Sequence, residues 1–170
     1  MSDARPAARR GRPAAELSVL DRLLDSAPDR PREAPPSALA VRERLCRAVH
    51  RDVEALLNAR RPWRSVPAAL GELRVSPLGY GMADATAGSF NDRAQRDLVR
   101  ADIEDALRRF EPRLEQVQVR LIDDDSLLRA TLHLRIDALL RLQPAPEPIA
   151  FDTAFDITSA TVTLSPLHGS

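Results

Sequence analysis

The chain has 170 residues, 25 basic and 25 acidic side chains, and a formal net charge of zero. That length leaves room for one domain plus tails, with a core large enough to fold alone. The charge balance excludes a global field of the kind that draws proteins to nucleic acid. Every basic side chain is arginine, which suits bidentate, weakly hydrated ion pairs better than lysine would. One cysteine, Cys46, excludes an internal disulfide framework and fits a reducing compartment. No apolar run approaches the roughly 20 residues of a membrane-spanning helix. The basic N-terminal stretch leads into no apolar h-region, so neither a secretory signal nor membrane insertion is expected, and a cytoplasmic location is.

Residues 1–16 are rich in Ala, Arg and Pro and too poor in large apolar groups to offset chain entropy, so a disordered tail is expected. Over residues 17–26, Leu17, Leu20, Leu23 and Leu24 fall on one face of a short helix. A helix this short is marginal in water and must dock on its own domain or on a partner. The proline-rich residues 27–36 form a semi-rigid linker to the body of the protein, residues 37–165, and residues 166–170 form a second tail.

Ser37 is placed to cap a long helix over Ala38–Leu57, with Val41, Leu45, Val49, Val53 and Leu56 as its apolar stripe. Residues 58–88 hold many prolines and glycines and no sustained period. They predict a long ordered loop with short strand pieces, pinned by Trp63, Leu70, Leu73, Val75 and Tyr80, with Gly79 and Gly81 allowing a tight path around the tyrosine. A second helix follows over Asp92–Phe110. Ser89 or Asn91 is placed to cap it, and Val99, Ile103, Ala106, Leu107 and Phe110 line one face. Its outer face offers Arg100–Glu104, Glu104–Arg108 and Asp105–Arg109 pairs at i, i+4. Pro112 stops this helix, since it lacks an N–H and disfavours a helical residue before it.

Beyond Pro112 the period becomes two. Val117, Val119 and Leu121 alternate with polar residues, and Asp123–Ser126 makes a polar turn. Leu128, Ala130, Leu132, Leu134 and Ile136 then alternate with Arg129, Thr131, His133, Arg135 and Asp137. Pro144, Pro146 and Pro148 interrupt the chain before two last strands, Ile149–Phe155 and Thr161–Leu164. The order predicts an α+β domain: two main helices packed on one face of a small antiparallel sheet, with the short N-terminal helix on its proline-rich linker. The last strand (Thr161, Val162, Thr163, Leu164) is a candidate edge whose unpaired backbone groups are open to a partner strand.

The triplet Glu111-Pro112-Arg113 is the one constellation with chemical promise. It fits half an active site, a structural clamp, or the anchor of a docking surface. Glycoside hydrolysis needs two carboxylates, one of them held protonated as the acid. Arg113, two residues from Glu111, favours the ionised carboxylate instead. The second carboxylate would come from Asp123–Asp125, in a turn, or from Glu104, on the exposed side of its helix. Cys46 and His50 share a helix face, but no further ligands stand at metal-site spacing, so no metal and no cofactor are expected. His133 lies in a strand with no triad partners.

Six ordered blocks carry a resemblance: SVLDRLLD (Ser18–Asp25), ALLNARR (Ala55–Arg61), SPLGYGMAD (Ser76–Asp84), IEDALRRFEPRL (Ile103–Leu114), LRIDALL (Leu134–Leu140) and PIAFDT (Pro148–Thr153). In this order and spacing the chain resembles the TssE family of type VI secretion baseplate components. That family is akin to the sheath-initiator wedge protein of contractile phage tails and has long been labelled lysozyme-like. The resemblance spans about residues 17–165, with one departure where Met82-Ala83 stands in place of an expected Leu-Pro. It implies a non-enzymatic assembly role beside TssF and TssG in each wedge, at the inner face of the inner membrane, templating the first ring of the TssB–TssC sheath. It also implies that Glu111, Pro112 and Arg113 hold the protein on the wedge, and that the helix carrying Leu17, Leu20, Leu23 and Leu24 docks on a partner. The competing expectation is a peptidoglycan hydrolase with Glu111 as acid.

Overall fold

A computed structural model of the chain describes residues 18–23, 37–61, 67, 69–83, 92–122, 131–143, 145–156, 158–159 and 161–166. The expected N-terminal tail, the linker, Trp63 and the Asp123–Ser126 turn lie outside the described residues. The helices are α1 (Val19–Leu23), α2 (Ala38–Asn58), α3 (Gly71–Arg74) and α4 (Arg93–Phe110), with a 3₁₀ turn at Pro77–Gly79. The strands β1 (Leu114–Leu121), β2 (Thr131–Leu140), β3 (Glu147–Asp156) and β4 (Thr161–Pro166) form one antiparallel sheet in the order β1-β2-β3-β4. The fold is α+β.

α2 begins where Ser37 accepts a hydrogen bond from the Ala40 N–H at 3.2 Å, the N-cap expected of a serine. Its buried stripe is Leu45, Ala48, Val49, Val53, Leu56 and Leu57. Val41, one turn earlier, is exposed. α4 is capped by Asp92, whose side chain accepts from the Ala94 N–H at 3.0 Å, rather than by Ser89 or Asn91. Val99, Ile103, Ala106 and Leu107 are its buried face, and all three predicted i, i+4 ion pairs form on the other.

Both helices cover one face of the sheet. The core joins their stripes to Val117 and Val119 of β1, to Leu132, Leu134, Ile136, Ala138 and Leu140 of β2, and to Phe151, Phe155, Val162 and Leu164 beyond. β1 keeps Leu114 in that core as well as Val117, three residues on, which a strict period of two forbids. A bulge between Glu115 and Gln118, with Gln116 at φ 51°, absorbs the odd residue. Pro148 does not break β3 but sits inside it, opposite Leu139.

Two of the described buried positions are polar, Glu111 and Thr153. Thr153 on β3 is 2% exposed, and its hydroxyl has no hydrogen-bond partner among the described residues. A buried hydroxyl left unpaired costs about 1–3 kcal/mol. Thr153→Val, nearly isosteric, is therefore expected to raise the unfolding free energy by about 1 kcal/mol, read as a higher urea midpoint at unchanged slope. A lower midpoint would show that the hydroxyl is satisfied in solution.

Candidate docking corner and sheet edges

The chain turns from α4 into β1 at Glu111–Leu114. Glu111 is the C-cap of α4, its N–H donating to the Leu107 carbonyl at 2.9 Å, and its own carbonyl accepts from the Leu114 N–H at 3.1 Å. Pro112 occupies the second position of this turn, which its fixed φ favours. The Arg113 carbonyl accepts from the Arg141 N–H at 2.9 Å, tying the corner to the end of β2.

Inside the corner, Glu111 is only 3% exposed. Arg113 Nε donates to Glu111 Oε1 at 2.6 Å while its Nη2 donates to Glu111 Oε2, a bidentate fork. The same Nη2 donates to Asp52 Oδ2 of α2 at 2.6 Å. One guanidinium thus joins the α4–β1 corner to the middle of α2. Burial works against its charge, but the bonds from Glu111 and Asp52 outweigh that and hold Arg113 protonated well beyond any working pH. The pairing continues outward. Arg51 donates to Asp52 at 2.7 Å and to Asp21 of α1 at 2.8 Å, so alternating charges run from the corner across α2 to the N-terminal helix.

Asp52 is the residue that inspection of the sequence missed. It stands on the polar side of α2, 61 residues from Arg113, and no local pattern pairs them. Asp123–Asp125 lie outside the described residues, and Glu104 pairs with Arg100 and Arg108 rather than joining this corner. Glu104 is not on an exposed helix side either: it faces the edge of β1. Both oxygens of Glu111 are gripped by Arg113, and a general acid needs one of them protonated and turned to substrate.

The other predicted site residues lie apart. On α1, Asp21 makes the ionic contact to Arg51, whereas Val19, Leu20 and Leu23 are exposed; Leu17 and Leu24 lie outside the described residues. The loop before α4 is held differently from expectation. Leu70, Val75 and Tyr80 are exposed rather than anchoring, and a short helix and a 3₁₀ turn replace most of the expected strand pieces. Polar contacts pin it instead. Arg61 reaches Asp102 of α4 at 3.1 Å, Asp102 also accepts from the Ala83 N–H at 3.1 Å, and Arg60 and Met82 make an isolated bridge. Gly81 has φ 99°, and a Cβ there would meet the Ala59 carbonyl at 2.5 Å, so the turn needs glycine. Tyr80 packs edge-on against Phe110, two residues before Pro112, with ring centroids 5.3 Å apart.

β4 is an edge strand, as expected, but its outward backbone groups are not all open. The Asn58 side chain, at the end of α2, donates to the Val162 carbonyl at 2.9 Å and accepts from the Val162 N–H at 2.9 Å. His50 Nε2 lies 3.2 Å from the Leu164 carbonyl, while its ring tilts against Phe151. The opposite edge is capped too. Arg108 donates to the Val117 carbonyl at 3.0 Å and the Val119 N–H donates to Glu104 at 3.3 Å. Each main helix therefore covers the sheet edge beside it with polar side chains, a recognised protection against unwanted strand pairing.

Comparison with known families matches residues 43–145 to the model of the baseplate wedge protein gp25. The chain belongs to this baseplate wedge family, and its role is that of a structural baseplate component. The matched span takes in Asp52, Glu111 and Arg113, and ends before β3 and β4. Comparison with curated proteins found no match.

Proposed function

We propose that the chain is a non-enzymatic subunit of a type VI secretion baseplate, joining the TssF–TssG wedge to the TssB–TssC sheath and starting sheath growth by accepting a strand at β4. The observation that carries this reading is an antiparallel sheet ending on an edge strand, in a chain of the baseplate wedge family. An extended segment adding to such an edge gains main-chain hydrogen bonds, and pockets for alternate side chains set its specificity. Repetition around a ring lets modest contacts act together through effective concentration. The assembled site is the inner face of the inner membrane; among the described residues no helix is long and apolar enough to cross it.

Wedge docking falls to Glu111, Pro112 and Arg113 in a divided way. The two charged groups spend their hydrogen bonds inside the chain and make the corner rigid, while Pro112 is exposed at its tip. A rigid corner lowers the ordering cost of binding. The exposed apolar side chains of α1 supply a second contact with the wedge. No observation favours the hydrolase reading, since Glu111 is buried against a guanidinium.

The test separates clamp from dock. Pro112→Asp leaves the Glu111–Arg113–Asp52 bridge in place and puts a charge on the tip. Recovery of TssF–TssG in co-purification is expected to fall at least tenfold with the melting temperature little changed. Full recovery would remove the corner from the docking surface.

A further inference from the structure

Resting on the reading of β4 as the sheath-binding edge, we infer that Asn58 acts as a surrogate strand. It occupies the backbone groups an incoming sheath segment needs, and strand addition proceeds by displacing it. Residues alternate along a strand between facing the neighbouring strand and facing away. The bonds from Asn58 to Val162 and from His50 to Leu164 mark these two as the residues whose N–H and C=O point away from β3. Thr161, Thr163 and Ser165, opposite Asp156, Ala154 and Asp152, then carry the ladder to β3.

A carboxamide has the donor and the acceptor of a peptide group. Asn58 presents both to one residue, as an added strand would at an exchanging position. Its second N–H donates to the Glu54 carbonyl at 3.0 Å, which fixes the amide plane toward β4. Asn58 is exposed, so a segment approaching along the edge can replace it without opening the core, and the Val162 and Leu164 side chains stay buried throughout.

The two edges differ in how firmly they are held. At β1 the capping groups are charged: Glu104 is braced by Arg100 at 3.2 Å and by Arg108, and charge-assisted bonds are roughly twice as strong as neutral ones. At β4 the caps are a neutral amide and one imidazole. The sheath segment therefore adds at β4, with its hydrogen-bond register set on Val162 and Leu164. This arrangement also keeps the free subunit from pairing edge to edge with its own copies.

The experiment measures affinity of the full chain for purified TssB–TssC, with hydrogen exchange at the Val162 N–H. Asn58→Ala, a better helix former than asparagine, is expected to bind about tenfold tighter, reflecting one to two net hydrogen bonds no longer in competition. In the free variant the Val162 N–H should exchange faster, and on binding it should become protected. Arg108→Ala, which loosens only the β1 edge, should leave the affinity unchanged. In the native chain, the Asn58 side-chain amide should lose its protection when TssB–TssC binds. Wild-type affinity in Asn58→Ala, or an Asn58 amide still protected in the complex, overturns the surrogate strand while leaving β4 as the binding edge. Protection of β1 rather than β4, or no binding by either chain, overturns both.

Discussion

Arg113→Ala will lower the unfolding free energy by about 3–5 kcal/mol, the cost of leaving a buried carboxylate without its counter-charge. Glu111 is 3% exposed, and Arg113 holds both of its carboxylate oxygens. Removing the guanidinium also leaves Asp52 with Arg51 alone, so α2 and the corner lose the ionic link that Arg113 supplies. Glu111→Gln is milder, about 1–3 kcal/mol, because Arg113 keeps Asp52 and the amide retains one acceptor oxygen. Urea unfolding of the two variants measures both. Equal and small losses would mean that the bridge is not formed in solution. A pure docking residue would move neither midpoint.

The second large effect concerns β4, where the position of a proline decides which property is lost. Thr163 faces Ala154 and its N–H belongs to the ladder with β3. Thr163→Pro removes that bond and unseats the buried Val162 and Leu164 on either side, at roughly 3 kcal/mol. Val162→Pro deletes an N–H that points away from β3, with its bond to Asn58, and trims a buried side chain, at about 2 kcal/mol in all. Val162→Pro is therefore expected to stay folded and to lose sheath assembly in cells, whereas Thr163→Pro loses the fold first. Normal sheath assembly with Val162→Pro would remove Val162 from the register.

Helix positions and their buried faces were legible because capping and the 3.6-residue period are local. Ser37 and the stripes of α2 and α4 needed no tertiary information. The sheet was legible where alternation is strict. It was obscured at β1, where the bulge at Gln116 puts Leu114 out of phase, and at the end of β2, where Leu139 places an apolar side chain on the outer face. The loop before α4 misled because Leu70, Val75 and Tyr80 are large and apolar yet exposed, while Arg61 and Asp102 do the anchoring. The corner was legible as Glu111-Pro112-Arg113, but its partner was not, since nothing near Asp52 marks it as the third member. Nor did any pattern give Asn58 to Val162, 104 residues away.

These pieces assign the polar chemistry of the chain to architecture. The Glu111–Arg113–Asp52 bridge stiffens the corner proposed to meet the wedge. The exposed row on α1 is proposed to extend that surface, and the amide at the end of α2 caps the edge proposed to meet the sheath.

Seeded sheath assembly tests the central claim most directly. TssB–TssC polymerisation is followed by light scattering, with and without the chain bound to TssF–TssG. Shortening of the lag in proportion to the added complex, and its loss with Val162→Pro, is the predicted result. A lag indifferent to the chain would contradict its role as the starting point of the sheath.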